Sequence, residues 1–189
     1  MQDTRYNPAI HHRRSIRLKG WDYRQPGAYF VTLVTEGRDL LFGDVANGAV
    51  ALAFPGTIAE TLWLCLPQQF AHVRLDEFVV MPNHLHGLIW LTAKDEGAVA
   101  PAAMTPEPAP PQPRLLPGSL GAILGNYKSL VTRRINAVRH TPGGLVWQSN
   151  YYEHIIRNGR ALEAIREYIH NNPSHWERDP DNPLVWGHH

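Results

Sequence analysis

Two strand-like runs meet at a three-residue joint near the middle of the chain, and this joint restricts the fold more than any other feature. Val73 to Met81 alternates and then becomes apolar, and His84 to Leu91 is mostly apolar. Met81-Pro82-Asn83 at the junction is rich in turn-forming residues, so the pair reads as two connected strands. The flanking pattern falls into order around it. Tyr29-Phe30-Val31-Thr32-Leu33-Val34-Thr35 is β-branched and aromatic and predicts a strand. Residues around 48–68 carry Ile58, Leu62, Leu64 and Leu66 at helical spacing. They predict a helix of about five turns, broken at Pro67, with Pro55 blurring its start. Leu120 to His140 predicts a second helix, apolar along Ile123, Leu124, Tyr127, Leu130, Val131 and Ile135, with Gly143-Gly144 as its stop. Val146 to Ile156 reads as extended and Arg160 to His170 as a last helix. Asn172-Pro173 ends that helix, because the residue before proline is disfavoured in the α region. The order strand, helix, strand, strand, helix, strand, helix resembles a split β-α-β arrangement, an α+β fold with an antiparallel sheet.

The 189 residues suit one domain, 1–189, with appendages, and 43% hydrophobic content is enough to bury a core. Residues 94–117 hold Pro, Ala, Gly and Glu with few bulky apolar side chains and read as a flexible insertion without chemistry. The formal net charge of +1 indicates no global pull toward nucleic acid, so local clusters matter more. The single cysteine, Cys65, excludes an intrachain disulfide and reads as a small buried hydrophobe. The basic start lacks a secretory apolar segment, and no run reaches the roughly 20 apolar residues of a membrane span. A cytoplasmic protein is therefore expected. The terminal His188-His189 pair carries no reading either way.

The sharpest chemical signal is His84-Leu85-His86. Residues two apart on a strand share a face, with Cα atoms roughly 6.5 Å apart. Two imidazoles can converge there on one divalent ion, leaving positions for an oxygen ligand, water and phosphate. The alternative is a solvated histidine pair on a strand edge. The second signal is Glu167-Tyr168-Ile169-His170-Asn171-Asn172-Pro173. Tyr168 and Asn172 are four apart and share a helix face. A phenolic oxygen beside a metal-bound phosphate can act as nucleophile, and the Asn172 amide can offer an oxygen to the same ion. The alternatives are an ordinary aromatic and a helix C-terminal residue.

With these residues in place, the chain resembles the REP-associated tyrosine transposases. Met81-Pro82-Asn83-His84-Leu85-His86-Gly87-Leu88-Ile89 resembles the His-hydrophobe-His signature of the small single-tyrosine transposases. Arg14-Ser15-Ile16-Arg17-Leu18, Gly20-Trp21-Asp22-Tyr23 and Tyr29-Phe30-Val31-Thr32 resemble the family's N-terminal region. Tyr127-Lys128-Ser129, Val146-Trp147-Gln148 and the run Tyr152 to Asn158 resemble its middle, and Tyr168-Ile169 with Asn172-Pro173 its nucleophile helix. The resemblance spans nearly the whole chain except 94–117 and the last dozen residues. It implies a ferredoxin-like HUH endonuclease core with a C-terminal nucleophile helix. It further implies His84, His86 and Asn172 as ligands of Mg²⁺ or Mn²⁺, and Tyr168 as the nucleophile. Asn172 stands where related insertion-sequence transposases carry Gln, a departure that favours the REP-associated branch. Tyr127 is a rival for the nucleophile, but Val131 lies four residues on, where an Asn or Gln would be needed.

The implied reaction is cleavage and joining of single-stranded or hairpin DNA through a 5′-phosphotyrosine, by a monomer or homodimer. Candidate phosphate contacts are Arg13, Arg14, Arg17, Lys128, Arg133, Arg134 and Arg157, while His154 reads equally as a phosphate contact or a structural histidine. Trp21 and Tyr23 read as base-stacking or core residues. Two other readings stay open: a hairpin-binding protein that keeps the fold without cleaving, and an unrelated metallohydrolase built on the His pair.

Overall fold

The structure is a computed structural model and describes residues 21–93, 116–179 and 181–183. Arg13, Arg14, Arg17, nearly all of the 94–117 segment and His188-His189 lie outside the described residues.

The described residues form six strands and four α-helices: β1 (Gly27–Val34), β2 (Gly43–Ala46), β3 (Ala49–Leu52), α1 (Phe54–Leu64), α2 (Leu66–Gln69), β4 (Val73–Val80), β5 (His84–Leu91), α3 (Leu120–Arg139), β6 (Tyr152–Ile156) and α4 (Gly159–Asn171). The main sheet has the order β4-β5-β1-β6, and every neighbouring pair is antiparallel. Each outer half of the sheet is reached by a helical crossover, which is the split β-α-β arrangement expected from the sequence.

Strand alternation sorts the two faces. Tyr29, Val31, Leu33, Leu85, Ile89 and Leu91 point to one side and form a single cluster with residues of α1 and α3. Gly87 lies on that face, where an added Cβ would come within 2.2 Å of the Trp63 ring of α1. Its missing side chain is what lets the helix settle on the central strand. The opposite face carries Phe30 and Leu88, which meet Ile169 of α4 in a second, smaller cluster. Helix α4 is thus the only α-helix among the described residues that packs on the His84–His86 side.

Several local expectations are corrected. The helix expected over 48–68 begins at Phe54, because Ala49–Leu52 pairs with Gly43–Ala46 as a hairpin. The turn is Asn47-Gly48, both at positive φ (53° and 73°), as a tight hairpin demands. Pro55 and Pro67 each sit in the first turn of a helix, where a missing N–H costs nothing. Helix α3 is capped by the Ser119 hydroxyl and ends at His140, whose left-handed φ of 54° stops it before Gly143-Gly144. Of Val146 to Ile156 only Tyr152–Ile156 is strand, and Trp147 makes an isolated bridge to Thr35. At the end of α4, Asn172 remains helical (φ −57°, ψ −44°) despite preceding proline, and the chain continues as a 3₁₀ turn, Pro173–Arg178. None of the described helices is long and apolar enough to cross a membrane.

Candidate active site

His84 and His86 sit on the central strand β5 with side chains buried and ring centroids 4.4 Å apart. Leu85 between them is fully buried in the opposite-face core. Each ring is oriented by a hydrogen bond at Nδ1. Asn83 Nδ2 donates to the carbonyls of Arg38 (3.2 Å) and Asp181 (2.6 Å), which fixes the amide orientation and turns Oδ1 toward His84. His84 Nδ1–H therefore donates to Asn83 Oδ1 at 2.8 Å, and its lone pair lies on Nε2. Thr32 on β1 pairs across the sheet with His86, and its hydroxyl lies 2.9 Å from His86 Nδ1. When that hydroxyl accepts, His86 also keeps its lone pair on Nε2.

Tyr168 projects from α4 onto the same pair. Its hydroxyl is 3.2 Å from His86 Nε2 and the residue is 47% exposed, so Tyr168 meets both the histidine and solvent. Phe30 touches the His86 and Tyr168 rings, with centroids 5.4 and 6.0 Å away. Asn172, one helical turn on, is buried. Its Nδ2 donates to Asp179 Oδ2 at 3.2 Å, while its Oδ1 is buried without a hydrogen-bond partner among the described residues. Asp179 follows the 3₁₀ turn, and it offers an oxygen that lies, with one nitrogen from each of His84 and His86, within a mutual 4.8 Å. Two oriented imidazoles and a carboxylate form a donor set that could hold a divalent metal. His86 Nε2 can ligate such an ion or accept from Tyr168, not both at once.

Helix α4 is held over the site by a short apolar seam and one ion pair. Arg166 Nη2 lies 2.6 Å from Asp76 Oδ2 and its Nε donates to Oδ1, while Trp90 Nε1 donates to the same carboxylate. The Arg166 hydrogen bond, with lesser help from Trp90 and the Glu77 N–H, draws the Asp76 pKa down to about 2.

The structure brings together four of the residues expected from sequence: His84, His86, Tyr168 and Asn172. The rival Tyr127 is fully buried on the other face, away from the His pair, and donates to the Ala59 carbonyl at 2.9 Å. Burial raises the Tyr127 pKa well above 10, which further disfavours the phenolate. Lys128 is turned inward, donating to the carbonyls of Gln148 and Ser149 at 2.5 and 3.0 Å, so it braces a loop. Arg133 and Arg134 lie on α3, across the sheet from the His pair. His154 is exposed on β6 and pairs with Phe30, which places it on the site face, and Arg157 follows that strand. Trp21 donates to the Tyr29 hydroxyl and Tyr23 packs against the Tyr29 ring, both against the helical core. Sequence reasoning missed Asp179, Asn83 and Thr32. Asn83 had a visible signal, its place beside His84, but read only as a turn residue.

No family model matches the chain. An uncharacterized protein from Haemophilus influenzae is 40% identical over 181 residues, covering 93% of this chain and 96% of that protein. A solved structure, a REP-associated tyrosine transposase bound to a REP hairpin, superposes with a TM-score of 0.51 at 16% identity, over 78% of this chain and 67% of that one. The chain therefore belongs to one family with the Haemophilus influenzae protein, and its fold is that of the REP-associated tyrosine transposase.

Proposed function

We propose that this chain is a transposase-type enzyme that cleaves and rejoins single-stranded DNA, with Tyr168 as nucleophile and hairpin-bearing DNA as substrate. The observation that carries the reading is the Tyr168 hydroxyl 3.2 Å from His86, beside the buried cluster of His84, His86 and Asp179. The hairpin is proposed by extension from the structural relative, which is bound to a REP hairpin.

Tyr168 attacks phosphorus in line with the bond to the 3′-oxygen. An O–P bond forms to the phenol as the P–O3′ bond breaks, giving a 5′-phosphotyrosine and a 3′-hydroxyl. A 3′-hydroxyl can reverse the step and join DNA without a nucleotide cofactor, because the phosphodiester energy is retained. A divalent cation such as Mg²⁺ or Mn²⁺, held by His84 and His86 with Asn172, would polarise a non-bridging phosphate oxygen and offset the developing charge. A free phenol has a pKa of about 10, so the proton needs an acceptor. His86 Nε2, 3.2 Å from the Tyr168 hydroxyl, is within hydrogen-bond reach and would serve as that acceptor. Were His86 to hold a cation, the proton would pass to water at the exposed side of Tyr168. Tyr168 and the His pair meet within one chain, which supports action by a monomer over a homodimer. His154 lies on this face and Arg157 is exposed just past the same strand, so they are the strongest remaining candidates for phosphate contacts, whereas Arg133 and Arg134 would need DNA wrapping around the sheet edge. A cytoplasmic location, where such DNA is accessible, completes the proposal.

The test is incubation with hairpin-bearing single-stranded DNA and Mn²⁺, followed by a denaturing gel. The expected result is a covalent adduct with the unmodified protein and none with Tyr168→Phe. Equal adduct from Tyr168→Phe defeats the assignment of the nucleophile. Hairpin binding with no cleavage on any substrate favours a non-enzymatic binder, and cleavage without an adduct favours a metallohydrolase.

A further inference from the structure

Asp179 lies in the segment that follows α4, seven residues past Asn172 and outside the stretch that resembles known transposases. We infer that Asp179 is the anionic ligand of the divalent cation held by His84 and His86. The inference rests on the reading of those two histidines as ligands, and three observations carry it.

The first is placement: one carboxylate oxygen and one nitrogen from each histidine lie within 4.8 Å of one another, and all three residues are buried. The second is charge. The Asp179 oxygens take hydrogen bonds from the Asp181 N–H at 2.6 Å and from Asn172 Nδ2 at 3.2 Å, both neutral donors. Among the described residues no Lys or Arg forms a salt bridge with it, and Arg38 pairs with Asp181. A carboxylate only 6% exposed, set against neutral hydrogen-bond donors and two imidazoles, is costly to desolvate, and a bound dication supplies a counter-charge that all three residues can share. The third is that the segment is built rather than loosely laid down. Asp179 N donates to the Trp176 carbonyl at 3.1 Å, Asn182 Nδ2 donates to the same carbonyl at 2.9 Å, and the Trp176 ring lies 6.0 Å from that of His84.

The chemical consequence concerns which ion is held. Imidazoles suit zinc, copper, nickel and iron, while carboxylate and amide oxygens suit magnesium and manganese. Adding the Asp179 carboxylate shifts a two-histidine site toward Mn²⁺ and Mg²⁺. Asn172 then has a second task, holding Asp179 in position through its Nδ2.

The test is binding of Mn²⁺ alone to the full chain, with free ion read by electron paramagnetic resonance and folding of each variant checked by circular dichroism. The unmodified protein is expected to bind Mn²⁺ saturably. Asp179→Asn should bind at least about tenfold more weakly, since even removing a group that only orients a ligand costs that much. If Asp179→Asn binds as tightly as the parent while His86→Ala loses the ion, the role of Asp179 is overturned and the His pair stands. Absence of saturable binding by the unmodified protein overturns both. A second variant guards against misfolding of the first. Asp179→Cys with Cd²⁺ should show sulfur-to-metal charge-transfer absorption that the parent, with its lone Cys65, does not. Folded Asp179→Cys that binds Cd²⁺ without this band overturns the inference.

Discussion

Breaking the ion pair between Asp76 and Arg166 should loosen the nucleophile helix more than the rest of the fold. The pair joins β4 to α4, and α4 otherwise buries only Ile169 fully. Replacing Asp76 by Asn keeps the volume and an acceptor for Trp90 but removes the charge. The Asp76 pKa falls from 3.8 to about 2, chiefly through the Arg166 hydrogen bond. At about 1.4 kcal/mol per unit that corresponds to ~2.5 kcal/mol. Arg166 is 35% exposed, and solvent screening reduces the contribution to ~1 kcal/mol. The melting temperature of Asp76→Asn at neutral pH should therefore drop by ~2–4 °C. The sign with pH follows from a carboxylate whose folded pKa is depressed. Its contribution is complete above the unfolded value of 3.8 and is lost as pH falls through about 2, so parent and variant should converge over that window. Hydrogen exchange localises the effect: amides of residues 159–171 should exchange faster in the variant, while those of β1 and β5 change little. Adduct formation should slow as well, since Tyr168 rides on α4. If α4 amides are unchanged at neutral pH, or the stability gap persists at pH near 2, the reasoning fails.

Three further outcomes are expected. Thr32→Val, which removes the hydroxyl beside His86 Nδ1, should weaken Mn²⁺ binding by about 10–100-fold at near-parent stability, read by ion titration and thermal melting. Gly87→Ala forces a Cβ toward the fully buried Trp63 ring and should cost at least ~1–3 kcal/mol in urea unfolding, with Trp fluorescence reporting the displaced ring. Tyr127→Phe removes the donor to the Ala59 carbonyl and should cost about 0.5–1.5 kcal/mol of stability while leaving DNA adduct formation intact.

What the sequence determined by itself follows from short periods. Alternation along Tyr29–Thr35 and His84–Leu91 marked two central strands and put both imidazoles on one face, because a strand repeats every two residues. The spacing of Tyr168 and Asn172 put them on one helix face, because a helix returns after about four. Where two signals competed, the longer pattern misled: the apolar spacing over 48–68 concealed a hairpin that Asn47-Gly48 had announced. The remaining decisions belong to contacts far apart in the chain. Tyr127 and Tyr168 both sit on helices, and only the face of the sheet on which each helix packs separates a buried structural phenol from one beside His86. Lys128 looked like a surface cation until the loop at Gln148 and Ser149 folded over it. Asp179 reaches the histidines because Asn172 stays helical, the 3₁₀ turn carries the chain back, and the Asp181 carbonyl accepts from Asn83, 98 residues away. No local period records such a return, since its geometry is set by packing between segments that the sequence does not place side by side.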